Sequence, residues 1–476
     1  MRHFLLGRCL LLSVLFLRAG ATASAETVQP SDKINIILIN ADDLGYGDLG
    51  CYGQKQIPTP ALDRMAREGM RFTQFYAGST VCAPSRSVLM TGFHTGHTPV
   101  RGNGNREQQT LPSSSVTVAE LCKKQGYRTA LIGKWGLGEE NTEGHPLNQG
   151  FDFFYGYLNQ VHAHNHFPEF LWRNEKRESL PNVVKKPPSQ PNSLGGMATE
   201  KKVFSNDRFI AESSNFIEAN KDQPFFLYLA LVLPHANNEA RAMSGNGSES
   251  PNISRFADKS WSEPSRGFAA MVTDVDYAVQ QLMATVEQCG IDQKTLILFT
   301  SDNGPHQEAG HDLSLFNSSG GLRGTKRALY EGGIRVPLLA RLPGKIAPES
   351  VTSHIAYQAD IFATMAQWIG EPIPDDLDGV SFLPTLVGRS EEQKPHPYLY
   401  WEFYEQGSRQ AVRFGNWKAI REPMLTGPIQ LYDLSVDEAE SNNLAESNPE
   451  LVNQAKAMMN QAHRPDPRWS IPKNKK

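Results

Sequence analysis

Cysteine is scarce in this chain, with five in 476 residues. Cys9 falls in the N-terminal segment, and no Cys-x-x-Cys occurs among Cys51, Cys82, Cys122 and Cys289. A disulfide framework and a thiolate zinc or redox motif are therefore excluded. Net charge is also small: 47 Lys and Arg stand against 51 Asp and Glu, giving −4. Nothing in that balance points to nucleic acid or an anionic membrane surface as a partner. No apolar run reaches the roughly 20 residues that a membrane span needs, and no internal repeat is visible.

The N-terminus carries a targeting segment. Arg2 and Arg8 precede the mostly apolar Leu10 to Leu17, and Ala23-Ser24-Ala25 offers a small-x-small cleavage site. Residues 1–25 are expected to be a secretory signal peptide. The mature protein is then exported, periplasmic or secreted, with no span left after cleavage. The short signal and compact ending favour a bacterial over a lysosomal setting.

The mature chain reads as strands alternating with helices. Ile34 to Ile39, Phe225 to Leu233 and Thr295 to Phe299 are apolar runs suited to buried parallel strands. Thr129 to Ile132 is a shorter one. Thr59-Pro60 opens a helical pattern, Val116 to Gln125 another, and Phe268 to Val286 a long amphipathic one closed by Gly290. This predicts an α/β fold, a large and mostly parallel sheet sandwiched by helices. From about residue 395 the pattern changes to four short strands, with Asn442 to Met459 expected as a helix. The expected division is a catalytic domain at 26–394 and a small antiparallel sheet plus helix at 395–476. Residues 181–196 and 244–251 read as loops over the active face.

Polar residues gather where the apolar runs stop, at the strand ends where such sheets place their ligands. Asp42 and Asp43 follow one run, and Asp302 and Asn303 another. One such pair alone is a helix cap or a solvated turn. Two pairs form an all-oxygen donor set that suits a hard cation, calcium or else magnesium. Between them in sequence lies Cys82-Ala83-Pro84-Ser85-Arg86, followed by Thr91-Gly92. A reactive cysteine derivative needs a fixed cation nearby, and Arg86 turns back towards Cys82 if a helix begins near Pro84.

This stretch resembles the signature of the formylglycine-dependent, type I sulfatases, arylsulfatase-like members of the alkaline-phosphatase-like superfamily. Gly133-Lys134-Trp135-Gly136-Leu137-Gly138, Leu233-Pro234-His235, Leu322 to Lys326, Tyr330 to Pro337 and Leu431 to Leu434 extend the likeness over nearly the whole mature chain. The resemblance implies that a formylglycine-generating enzyme oxidises Cys82 to formylglycine, whose hydrate attacks the sulfur of a sulfate monoester. It implies that Asp42, Asp43, Asp302 and Asn303 hold a calcium ion that also touches the group at position 82. It assigns Arg86 to the hydrated aldehyde, Lys134 and Lys326 to the sulfate, and His235 to the leaving oxygen, with His235 or Lys326 as proton donor. The family usually has histidine where this chain has Gly136. His162 and His164 are the expected partial substitutes and substrate contacts. Tyr155, Tyr157 and Trp172, with Arg101, Asn103 and Arg106, are candidates for a sugar pocket, so a sulfated carbohydrate is the expected substrate and aryl sulfates generic ones.

Two rival readings have features of their own. Asp302-x-x-x-His306, with His311 following, looks like part of the zinc set of a phosphoester or phosphonate hydrolase of the same superfamily. An unconverted Cys82 would instead leave a non-catalytic binder of sulfated glycans.

Overall fold

The computed structural model describes Met1 and residues 33–471; the expected signal peptide lies outside this main stretch. Four apolar runs form the centre of a ten-stranded sheet: β1 (Asn35–Ala41), β2 (Arg128–Lys134), β3 (Phe225–Ala230) and β4 (Thr295–Ser301). They lie in the order β4-β1-β3-β2, all parallel. Phe153–Tyr157 extends the parallel set beyond β2, and Leu338–Arg341 joins β4 antiparallel.

Alternate residues of a strand face opposite sides, and both sides are covered here. Ile37, Ile39, Leu227, Leu229, Ile297 and Phe299 enter one core with a long helix, α2 (Glu263–Gln288). Ile36, Leu38, Phe226, Tyr228, Leu296 and Leu298 enter the other. That second core contains Ala83, Leu89 and Met90 of helix α1 (Cys82–Thr91). Each large apolar side chain buried this way contributes about 1.5–3 kcal/mol, so the sheet is a rigid base for whatever its strand ends carry.

The C-terminal strands match expectation closely. Leu399–Phe403, Arg409–Phe414, Trp417–Arg421 and Ile429–Asp433 form an antiparallel sheet in that order. The terminal helix is present but starts later than expected. It spans Pro449–Ala462, with Pro449 in its first turn. Residues 442–448 are turns instead: Asn443 Oδ1 accepts from Leu431 N and Ala445 N at 3.0 and 3.1 Å. An asparagine side chain competing for backbone donors favours such turns over a helix.

Buried charge ties this sheet to the larger one. Lys418 Nζ lies 2.9 Å from Glu331 Oε1 and 3.0 Å from Glu440 Oε1, and none of the three side chains is exposed. Trp401 Nε1 donates to Ala77 O at 2.9 Å, just ahead of α1. The small sheet thus braces the segment leading into the Cys82 helix. Among the described residues no helix is long and apolar enough to cross a membrane.

Candidate active site

Parallel strands deliver their carboxyl ends to one edge of the sheet, and the backbone ladder continues past them. Asp42 N donates to Leu233 O at 3.0 Å, and Asp302 N to Ala41 O at 3.1 Å. This sets the segments after β1, β3 and β4 side by side. Asp43 turns off the line of β1 with φ of 66°, a left-handed conformation that Asp tolerates better than most residues. Its backbone N then donates to Asp302 Oδ1 at 3.1 Å.

Cys82 is the first residue of α1, and Pro84 sits in the first turn. Asn103 Oδ1 accepts from Ala83 N at 3.1 Å, satisfying a donor that the helix start leaves open. The Cys82 Sγ is buried and lies 3.4 Å from Asp42 Oδ1. Burial, then the Asp42 charge, pushes the thiol well above its usual range. As a plain thiol Cys82 is therefore a poor nucleophile.

Arg86 lies one helical turn further on. Its Nη2 and Nε are 2.8 and 3.2 Å from Asp302 Oδ2, and Nη1 donates to Lys134 O at 2.7 Å. The guanidinium therefore fixes Asp302 and the end of β2 in place. Lys134 Nζ is 2.5 Å from Asp42 Oδ2. Lys326 Nζ lies 2.8 Å from Asp43 Oδ2, 3.0 Å from Glu308 Oε2 and 3.1 Å from His235 Nε2. His235 Nδ1 donates to Ala236 O at 2.7 Å, so Nε2 holds the lone pair that accepts from Lys326. Burial, then Lys326, keeps His235 neutral, well below its ordinary range.

The electrostatics of the three aspartates differ. Burial opposes ionisation of Asp42, but the cations Lys134, Arg86 and Lys326 outweigh it and hold the carboxyl well below the usual range. Burial, then the neighbouring Asp42, raises Asp302 to about 7. The raised Asp302 marks a carboxylate cluster that further positive charge would relax. Asn303 Nδ2 donates to Asp43 Oδ1 at 2.7 Å, while its Oδ1 is buried without a hydrogen-bond partner. Asp42, Asp43, Cys82 and His235 each bring a ligand atom within 4.8 Å of the others. Hard oxygen donors, an orphaned amide oxygen and a carboxylate raised by its neighbour fit a divalent cation such as calcium.

The other candidates separate clearly. His162 points away from the cluster, its ring 4.9 Å from Tyr157 and 4.4 Å from Phe170, and burial lowers it to about 3. Tyr155, Tyr157 and Trp172 are buried structural residues, their rings enclosed by the sheet and its covering segments. Arg101 is buried too, donating to Arg464 O at 2.6 Å, and Arg106 is exposed beside Glu139. His164 does reach the site, its ring stacked on His235. Gly136 has φ of +77°, and a Cβ there would lie 2.1 Å from Gln160 Nε2. Gln160 therefore fills the space beside the glycine, with both amide atoms buried and unpartnered.

Sequence reading missed Glu308, the second carboxylate on Lys326, and Gln358. Gln358 Oε1 accepts from Ser85 Oγ and Gly78 N at 2.8 and 2.9 Å, and its Nε2 donates to Ser301 O at 2.9 Å. It braces α1 against the end of β4. Neither residue carries a motif; only their long-range partners reveal them. His306 lies in a cluster with Asp43 and Glu308, but Asp302 and His311 do not join it as ligands. His306 Nε2 donates to Pro234 O at 2.9 Å, and its Nδ1 accepts from Glu308 N at 3.0 Å, so both nitrogens are engaged. His311 stacks on Phe268 at 4.0 Å.

Fixed cations around buried carboxylates, at the strand ends of a parallel sheet, define a hydrolase site for an anionic ester. The chain matches the family described as Sulfatase over residues 34–371, and N-sulphoglucosamine sulphohydrolase, C-terminal, over 324–464. It is 30% identical to an N-acetylgalactosamine-6-O-sulfatase of Bacteroides thetaiotaomicron, covering 90% of this chain and 93% of that one. It is 34% identical to human arylsulfatase A, covering 89% and 86%. The crystal structure of Ps i-CgsB in complex with k-i-k-neocarrahexaose superimposes with a TM-score of 0.74 at 26% identity, covering 92% and 94%. The chain belongs to the sulfatase family, with its alkaline-phosphatase-like fold, and is an arylsulfatase-like sulfuric ester hydrolase.

Proposed function

We propose that this enzyme hydrolyses the sulfate monoester of a carbohydrate, with aryl sulfates as generic substrates. Cys82 is converted to formylglycine by a formylglycine-generating enzyme during maturation, and Asp42, Asp43, Asp302 and Asn303 hold calcium, with magnesium as the alternative. The protein is exported after loss of residues 1–25. Residues 26–394 are catalytic, and 395–476 form the supporting subdomain. The observation that carries this reading is the seating of Cys82 against Asp42, within a ring of Lys134, Lys326 and Arg86. The carbohydrate preference draws on the N-acetylgalactosamine sulfate named for one relative and the neocarrahexaose bound to a structural neighbour.

The hydrated aldehyde at position 82 supplies an oxygen nucleophile for the ester sulfur, a role that the buried thiol is ill suited to fill. The cation supplies Lewis-acid polarisation of the sulfate. The chain's own residues do the rest. Lys134 and Lys326 present ammonium groups fixed by Asp42 and Asp43, so sulfuryl charge is met without reorganisation. Arg86 keeps Asp302 oriented. Lys326, the protonated member of the Lys326–His235 pair, gives its proton to the departing alcohol oxygen, and His235 accepts from Lys326 in the resting state.

The test is the mass of the peptide containing Cys82, from protein made in a host that generates formylglycine. The expected result is a loss of about 18 Da, the thiol-to-aldehyde difference, together with aryl-sulfate turnover. An unmodified thiol without turnover, in a host that converts a control sulfatase, favours the glycan-binding reading and sinks this one.

A further inference from the structure

His164 lies outside the carboxylate–lysine cluster but on its wall. Its ring stacks on that of His235 with centroids 5.0 Å apart and 12° between planes. Its Nδ1 lies 3.1 Å from Glu239 Oε2 and 3.3 Å from Oε1. An ionised carboxylate only accepts, so Nδ1 carries a proton and Nε2 is the nitrogen left to face the site. Nε2 has no partner among the described residues, and the side chain is 15 % exposed.

Glu239 is itself held in place. It belongs to the short helix Asn238–Ser244, capped by Asn237, whose Oδ1 accepts from Ala240 N at 2.9 Å. Asn237 Nδ2 also donates to Gly196 O at 2.9 Å, which tethers the preceding loop to the same spot. Gly195 in that loop presses on the carboxylate: a Cβ there would lie 2.8 Å from Glu239 Cδ. A side chain at residue 195 would require the Glu239 carboxylate to shift. The histidine is thus fixed in tautomer and orientation by a carboxylate that is fixed in turn.

We propose that Glu239 is a positioning residue, and that His164 Nε2 is a specificity-determining hydrogen-bond partner for a hydroxyl beside the sulfate ester of the substrate. This rests on the carbohydrate-sulfatase reading above. In that reading His235 and Lys326 face the bridging oxygen of the ester. A ring stacked on His235 lies one layer further out, against the carbon skeleton of the alcohol. A fixed hydrogen-bonding nitrogen there selects an alcohol bearing a second, free hydroxyl, which is what a sugar offers and a simple aryl sulfate lacks. A site built to bond a hydroxyl discriminates strongly against the analogue without one.

The test compares wild type, H164A, E239A and E239Q, all converted at Cys82. The substrates are 4-nitrophenyl sulfate and whichever of the monosulfated galactose, N-acetylgalactosamine and N-acetylglucosamine probes the wild type turns over best. H164A and E239A are expected to raise KM for the sugar on the order of tenfold with a smaller change in kcat. The loss of kcat/KM on the aryl sulfate is expected to be several-fold smaller. E239Q retains an amide oxygen that accepts from Nδ1, and is expected to recover most of the sugar KM. Equal losses on both substrates, or an E239A enzyme that keeps the wild-type sugar KM, overturn the inference while leaving the sulfatase reading intact. A wild type that turns over the aryl sulfate but none of the sugars overturns the carbohydrate reading and this inference together.

Discussion

Lys326 Nζ lies 3.1 Å from His235 Nε2, and the Nδ1–H of His235 is engaged as a hydrogen-bond donor to the carbonyl of Ala236. The pair therefore holds one transferable proton, and Lys326 carries it. K326A is expected to lower kcat about 10²–10⁴-fold on an alkyl or sugar sulfate, the range of a lost general acid. On 4-nitrophenyl sulfate, whose leaving group needs no proton, the loss is expected to be clearly smaller. H235A keeps the lysine and is expected to lose less on the sugar sulfate. Kinetics on the two substrate types decide this: equal losses for K326A on both assign Lys326 to sulfate binding alone.

Asp43 N donates to the Asp302 carboxylate oxygen Oδ1 at 3.1 Å, and Asn303 presents an orphaned oxygen beside them. A cation that binds only the folded protein stabilises it by about 2.7 kcal/mol at a hundred times its Kd. Chelation is expected to abolish turnover and lower the thermal midpoint, and calcium to restore both. D302N and D43N are expected to lose the calcium-dependent part of the midpoint shift. A shift of the same size in D302N, measured by scanning calorimetry after chelation, places the cation elsewhere.

The strand ends were legible in sequence because buried parallel strands are almost uninterrupted apolar runs, and β1 and β4 end at the polar residues that follow them, whereas β3 stops at Ala230, three apolar residues before the end of its run. Asp42, Asp43, Lys134, His235 and Asp302 come together because the parallel topology brings those ends to one edge, and Cys82 and Lys326 are carried to it by a helix start and a loop. What sequence could not give was direction. His162 and His164 share one 3-10 turn, Val161 preceding it, yet one ring enters the core and the other faces the site. Aromatic residues near a motif read as a sugar pocket, but Tyr155 and Tyr157 lie in a strand covered on both faces. Glu239, Gln160, Glu308 and Gln358 act through partners tens to hundreds of residues away, and no local pattern marks them.

Gly136 and Gln160 form a pair that the family's usual histidine would disrupt. A side chain at 136 meets Gln160 Nε2 and must also adopt φ of +77°. G136H is expected to destabilise the protein by about 1–3 kcal/mol, the cost of a non-glycine residue held in that region. Removing the obstructing amide in G136H/Q160A is expected to recover part of that loss but not all, since the backbone strain remains. Urea unfolding of the three proteins checks this. Full recovery in the double variant means the clash was the whole cost, and no recovery means Gln160 does not fill the space.

Asp276 offers a pH test remote from the active site. Its carboxylate accepts from Leu62 N at 2.8 Å and Ala61 N at 3.2 Å, in the first turn of the helix Pro60–Arg67. Burial nevertheless raises its pKa to about 6, against an ordinary value of 3.8. Between those two values the folded protein holds more protons at this site than the unfolded chain does. Stability from this group is therefore full below about pH 4, falls as pH rises towards 6, and is level above that. The shift corresponds to a fall of roughly 3 kcal/mol. D276N cannot ionise and keeps one acceptor oxygen, so its stability is expected to decline less between pH 4 and 6. Denaturant unfolding of both proteins across that window gives the difference directly, because every other titrating group is shared. Parallel slopes would show that the two backbone donors hold Asp276 ionised throughout, and that burial is the weaker influence.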